Sequence, residues 1–228
     1  MTTTTSQVQA AETAAVEDTP APAANLTGDP LVLGLPLISV GAVALGLQLV
    51  GYVNVKSSGS PVALILAASG LGLLVATIAS TRLQTTPLSS PWSRGRSLPT
   101  AILGVLAAFF LSYGFLILGL VHSWFGLLPS YVQHTIASFE ISWLVVFVFF
   151  AIASTRLPAL FTVLFVAFGA VLILLLINTL STSTSTTLST VAGVLALIIA
   201  AAAGYVFLAI ASVASAGREY PLGPPIAP

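Results

Sequence analysis

The sequence contains no cysteine, so disulfides, thiolate metal sites and cysteine nucleophiles are excluded at the outset. Charge is nearly as scarce. Asp, Glu, Lys and Arg make up 5% of the 228 residues, against roughly 25% in a soluble domain, too few to cover a water-facing surface. The six basic and six acidic residues balance, and with no basic footprint the chain does not read as a nucleic-acid binder. Paired carboxylates, a Ser/His/Asp arrangement and a glycine-rich phosphate loop are missing as well, so the sequence does not read as an enzyme and implies no cofactor. His122 and His134 have no nearby partner in sequence and do not make a metal site.

What is present is apolar: 57% of the residues are hydrophobic. A helix needs roughly 20 mostly apolar residues to cross the ~30 Å hydrocarbon core. Six stretches meet that length, at about 31–53, 61–80, 99–121, 136–154, 157–178 and 188–215. The expected fold class is therefore all-α, a polytopic membrane protein with six transmembrane helices in a bundle and the lipid bilayer as its solvent. Residues 1–28 are rich in Thr, Ala and Pro, lack Lys and Arg, and read as a disordered N-terminal tail. Residues 29–216 form the transmembrane domain, and 217–228 a short C-terminal tail. Trp92, Trp124, Tyr131 and Tyr220 fall near span ends, where amphipathic rings anchor at the headgroups.

Positive charges in short loops set orientation. Arg82, Arg94, Arg96, Arg156 and Arg218 share a side with both termini, and Lys56 lies on the other. That bias places both termini in the cytoplasm. Ionisable groups within or near the spans are limited to Glu140 and the two histidines, which fall in the loop after the third span. Glu140 sits about one turn into the fourth span, where the helix macrodipole favours an acid. It has two readings: a dipole-stabilised interfacial acid, or a proton-binding group at the outer mouth of a pathway. Small residues recur every four positions, as Ala68, Gly72, Ala76 and Ser80 in the second span and Ala196, Ala200 and Gly204 in the sixth. Such stripes let membrane helices approach closely.

Several short motifs stand in a fixed order. Asp29-Pro30 leads to Leu33-Gly34-Leu35 and, 22 residues after Asp29, to Gly51-Tyr52. Ser112-Tyr113-Gly114 follows in the third span, then Trp143 with an aromatic run and Arg156, then Tyr205, Gly217-Arg218 and Pro221-Leu222-Gly223. In this order and spacing the chain resembles the acetate uptake transporter family, the acetate/succinate–proton symporters of bacteria and fungi. The resemblance implies a transporter or channel for small monocarboxylates such as acetate, in the plasma (inner) membrane, with proton symport and an uncoupled channel as the two alternatives. It also implies a ring-like homo-oligomer in which each protomer has its own pathway. The family's hydrophobic constriction corresponds by position to Ile38, Tyr113 and either Val163 or Phe165, and Glu140 is the candidate proton site. The chain departs from the family at Asp29 (Asn), Leu31-Val32 (Ala-Pro), Leu73 and Ser80 (Gln and Glu) and Ile210 (Glu). The Trp after Ser-Tyr-Gly-x-Phe is also absent. The alternative from another class is a non-transporting six-span scaffold or sensor.

Overall fold

The computed structural model describes residues 30–53, 60–83, 97–181, 183, 185–215, 217–218 and 220–227. The predicted N-terminal tail, Asp29, Lys56, Trp92, Arg94 and Arg96 lie outside them. Among the described residues are six helices long and apolar enough to cross a membrane, and no strand. They are α1 (Pro30–Leu49), α2, α3 (Ser97–Val121), α4 (Pro129–Ala153), α5 (Ala159–Leu180) and α6 (Thr186–Ala214). Helix α2 is composite: Ser60–Ala63, a π-helical stretch Leu64–Leu71, and Gly72–Leu83. Proline opens α1, where its missing N–H is no loss.

The fourth span is longer than its hydropathy predicts. It starts at Pro129 rather than Ile136. Pro129 is at the helix start and Leu128 before it is extended, so the helix nucleates ahead of the apolar run and carries Tyr131-Val132-Gln133-His134-Thr135 with it. His134 is therefore helical, while His122 lies in the turn after α3, stacked on Trp124. Glu140 is eleven residues past the helix start, about 16 Å along the axis. The dipole effect fades within the first turn, so it does not account for an acid there.

Around the bundle the neighbours run α3–α2–α1–α6–α5–α4, with α1 against α6 the most extensive pairing. Small residues explain that closeness: Ala192, Ala196, Ala200 and Ala203 of α6 and Ala42 and Ala44 of α1 are all buried. Two serines clip α1 to its flanks. Ser39 Oγ donates to the Ala200 carbonyl at 3.0 Å, and Ser69 Oγ, from the π-helical turn of α2, donates to the Leu37 carbonyl at 2.6 Å.

Between α3 and α4 the logic reverses. Their backbones touch only lightly, because aromatic rings stand between them. Phe109 and Tyr113 of α3 meet Phe139, Trp143 and Phe147 of α4. One seam is thus zipped by small residues and the opposite one is propped open by large ones.

The C-terminal segment runs back over the α4–α5 turn. Ile226 N donates to the Thr155 carbonyl at 2.9 Å, Leu160 N to the Leu222 carbonyl at 3.3 Å, and Tyr205 Oη to the Pro221 carbonyl at 3.0 Å. Gly223 makes the bend at φ 80°, a left-handed conformation that glycine adopts without strain.

Candidate functional site

The propped seam holds a cavity of about 100 Å³, room for several waters or one small solute. Its walls come from four helices: Leu45 and Leu49 of α1; Phe109, Tyr113, Leu116 and Ile117 of α3; Ile136, Phe139 and Glu140 of α4; and four apolar residues of α5 from Phe168 to Leu175. Two polar side chains interrupt this surface, the phenol of Tyr113 and the carboxyl of Glu140.

Each is held by a neighbour. Gln48 Nε2, one residue before the end of α1, donates to Tyr113 Oη at 3.3 Å. Thr179 Oγ1, near the end of α5, donates to Glu140 Oε1 at 3.1 Å. The backbone at Thr179 is tied in turn to α4, since Gln133 Nε2 donates to its carbonyl at 2.7 Å. Glu140 is 5% exposed, and its second oxygen, Oε2, is buried without a partner, as is Gln48 Oε1. Among the described residues no Lys, Arg or His lines the cavity. A carboxyl in such a place is costly, and groups of this kind inside membrane proteins generally face a pathway or a partner. Here Glu140 has Thr179 on one oxygen and faces the cavity.

Beside the cavity stands a cluster of packed aromatic rings. Phe109 is 2% exposed and packs edge-on against Phe110, Trp143, Phe147 and Phe168 at centroid distances of 5.3, 5.4, 5.4 and 6.2 Å. Phe147 and Phe168 stack face to face at 5.1 Å. Phe165 follows one turn along α5, against Phe147 and Phe150. Beyond them Ser154 Oγ donates to Thr162 Oγ1 at 3.2 Å, both residues buried. The arrangement is an apolar cavity with one phenol and one carboxyl, an aromatic cluster beside it, and a buried hydroxyl pair beyond the rings.

Of the residues assigned to a constriction from sequence, Tyr113 lines this cavity. Ile38 is buried on the face of α1 that carries Leu45, seven residues earlier and about 10 Å along the axis. The two fifth-span alternatives separate cleanly: Phe165 is 3% exposed and points into the bundle, while Val163 is 55% exposed and points out. Residues two apart on a helix lie about 200° apart, so both cannot face one pathway. Val163 is no part of an interior wall of this chain.

The motif residues divide by task. Leu33 is half-exposed, and Gly34 lets Leu103 of α3 sit against the α1 backbone beside buried Leu35. Ser112 bonds within its own helix, to the Ala108 carbonyl at 2.7 Å. Gly114 makes room for Leu66 of α2. Pro30 opens α1, and Asp29 lies outside the described residues. Among the departures, Leu73 is fully buried and Ser80 shares a hydrogen bond with Thr100.

Sequence reasoning missed the aromatic cluster and most of the cavity wall. A usable signal was present, since Phe109/Tyr113 and Phe139/Trp143/Phe147 recur at i, i+4 and so form aromatic stripes on facing helices. Gln48 and Thr179 carried no comparable signal, because only the packing of α1 and α5 brings them to Tyr113 and Glu140.

Comparison with known proteins agrees with this architecture. It is similar to that of a solved structure described as the bacterial acetate channel SatP, with a TM-score of 0.62 and 18% identity over 79% of this chain and 90% of that one. No curated protein sequence matches. Residues 12–227 match the family described as GPR1/FUN34/yaaH, the family of the acetate uptake transporters, and the chain belongs to it.

Proposed function

We propose that the chain carries small monocarboxylic acids, acetate-like in size, across the plasma (inner) membrane through its own helix bundle. The observation that carries this reading is the cavity between α3 and α4. It is small, almost wholly apolar, and supplied with one hydroxyl and one carboxyl, which suits a solute with a short hydrocarbon end and a single polar head. Family membership and the fold shared with an acetate channel support the same reading. Proton coupling, with Glu140 as the proton site, both termini in the cytoplasm and a ring of protomers complete the proposal. Val163 and the other outward-facing apolar residues of α5 would then meet lipid or a neighbouring protomer.

Radiolabelled acetate flux into vesicles containing the purified protein, against empty vesicles of the same lipid, is the direct test. Flux no greater than the empty control would leave a scaffold or sensor built on the same helices. Tyr113→Phe keeps the ring and removes one neutral hydrogen-bond donor, worth about 0.5–1.5 kcal/mol, so we expect a loss of flux of roughly two- to tenfold. Tyr113→Ala also removes the ring that stacks on Phe109 at 6.2 Å and is expected to lose more. Equal losses in the two variants would assign the whole effect to the hydroxyl.

A further inference from the structure

Neighbours fix every part of the Tyr113 side chain except its proton. The ring packs on Phe109 at a centroid distance of 6.2 Å and on Phe139 at 6.0 Å, so the phenol cannot swing. What remains free is the phenolic hydrogen, which lies near the ring plane on one side of the oxygen or the other. Gln48 Nε2 donates to that oxygen at 3.3 Å, and two hydrogens cannot share one side of it. The amide fills one position and leaves the O–H the other. Leu45 and Leu49 of α1 line the cavity, but Gln48 does not. The amide thus reaches the phenol from outside the wall, whereas Tyr113 faces the space within, and its O–H has no protein acceptor among the described residues.

A helix clamp does not account for this amide. The other polar side chain of α1, Ser39, spends its hydroxyl on the carbonyls of Leu35 and Ala200. Gln48 is bonded at one end only: its Oε1 is buried with no partner, a cost that an apolar side chain would not carry. Polar groups kept at such a cost inside a membrane mark function by default.

We propose that Gln48 is a positioning residue that acts on the carried solute through Tyr113. By donating to the phenol oxygen it turns the Tyr113 O–H toward the cavity, where that O–H meets an oxygen acceptor of the solute. An oxygen that already accepts is also a stronger donor, so the amide strengthens the O–H as well as aiming it. The role is the same for an acid and for its anion, since both present a carboxyl oxygen. This inference rests on the transport reading and adds a residue, outside the wall, that selects solutes by acceptor strength.

The test compares acetate with fluoroacetate, which is nearly the same size but a weaker acceptor, because fluorine draws charge from the carboxyl oxygens. The full chain in vesicles takes up radiolabelled acetate at one fixed pH, with empty-vesicle rates subtracted. Half-saturating concentrations are measured for acetate directly and for fluoroacetate by competition. Four proteins are compared: wild type, Gln48→Met, which keeps the length without the amide, Tyr113→Phe, and the double variant. Ionisation of the two acids in water is common to all four, so only changes in the ratio count. Tyr113→Phe is expected to raise the acetate value about two- to tenfold and to narrow the preference for acetate. Gln48→Met should do the same more weakly, about two- to fourfold for acetate, and the double variant should match Tyr113→Phe. A clamp between α1 and α3 would weaken both solutes alike, so an unchanged ratio in Gln48→Met overturns the inference. So does an unchanged ratio in Tyr113→Phe, or a further change when Gln48→Met is added to it. Should Gln48→Met fail to fold, Gln48→Asn, one methylene too short to reach the phenol, carries the same comparison. Absence of any protein-dependent flux overturns the transport reading, and this inference with it, whereas the ratios overturn this inference alone.

Discussion

Phe109→Ala is expected to open the pathway to larger acids and to lower stability by about 2–3 kcal/mol. Phe109 is the ring on which the aromatic cluster converges, with Phe110, Tyr113, Phe139, Trp143, Phe147 and Phe168 all within 6.2 Å between centroids. It also lines the cavity. Its removal enlarges that cavity toward the stacked rings of Phe147 and Phe168, so size selection should relax before anything else changes. The stability cost should fall below the ~3–5 kcal/mol usual for Phe→Ala in water-soluble cores. In a bilayer the lost side chain forfeits packing contacts but little hydrophobic transfer energy, since lipid is as apolar as the core. The ratio of butyrate to acetate flux in vesicles is the measurement. A well-folded variant with an unchanged ratio would show that the constriction lies elsewhere.

Gly193→Val is expected to break the α1–α6 seam and abolish activity at a distance from the cavity. A Cβ at Gly193 would lie 2.8 Å from Val50 N and 2.9 Å from the Gly46 carbonyl oxygen. Those two atoms already form a backbone hydrogen bond at 2.9 Å, so neither can turn aside as a side-chain tip would. The helices must separate, at a cost of about 1–3 kcal/mol or more for overpacking. Gln48, two residues before Val50, moves with them and releases Tyr113. Gly204→Ala, on the same helix, is the control: its Cβ would meet Ser39 Oγ at 3.7 Å, an ordinary contact. Thermal stability in detergent and acetate flux should both fall for the first variant and hold for the second. Equal melting temperatures would mean that α6 tilts without penalty.

These expectations draw on different levels of information. That six apolar segments separate at polar breaks was readable directly, because hydropathy over 20 residues is a property of the chain and the bilayer alone. The small-residue rows of α2 and α6 were also visible, since helical period converts spacing into a face. The position of Glu140 was misjudged through one boundary. Hydropathy reports where hydrocarbon begins, not where a helix does, and Pro129 starts α4 two turns before the apolar run. The π-helical stretch of α2 has no signature in its residues, and it places Ser69 against the Leu37 carbonyl through contacts that span 32 positions.

The amino-acid sequence by itself determined the solvent, the helical class, the six crossings and the family, all of which follow from composition and local order. It also supplied a carboxyl, a phenol and an amide without saying that they belong together. Tertiary structure decided that, because Glu140, Tyr113, Gln48 and Thr179 stand on four helices and meet only where bulky rings hold α3 from α4 while alanines and glycines draw α1 onto α6. It decided too which of Val163 and Phe165 looks inward, a matter of rotation about a helix so uniformly apolar that its own pattern names no face.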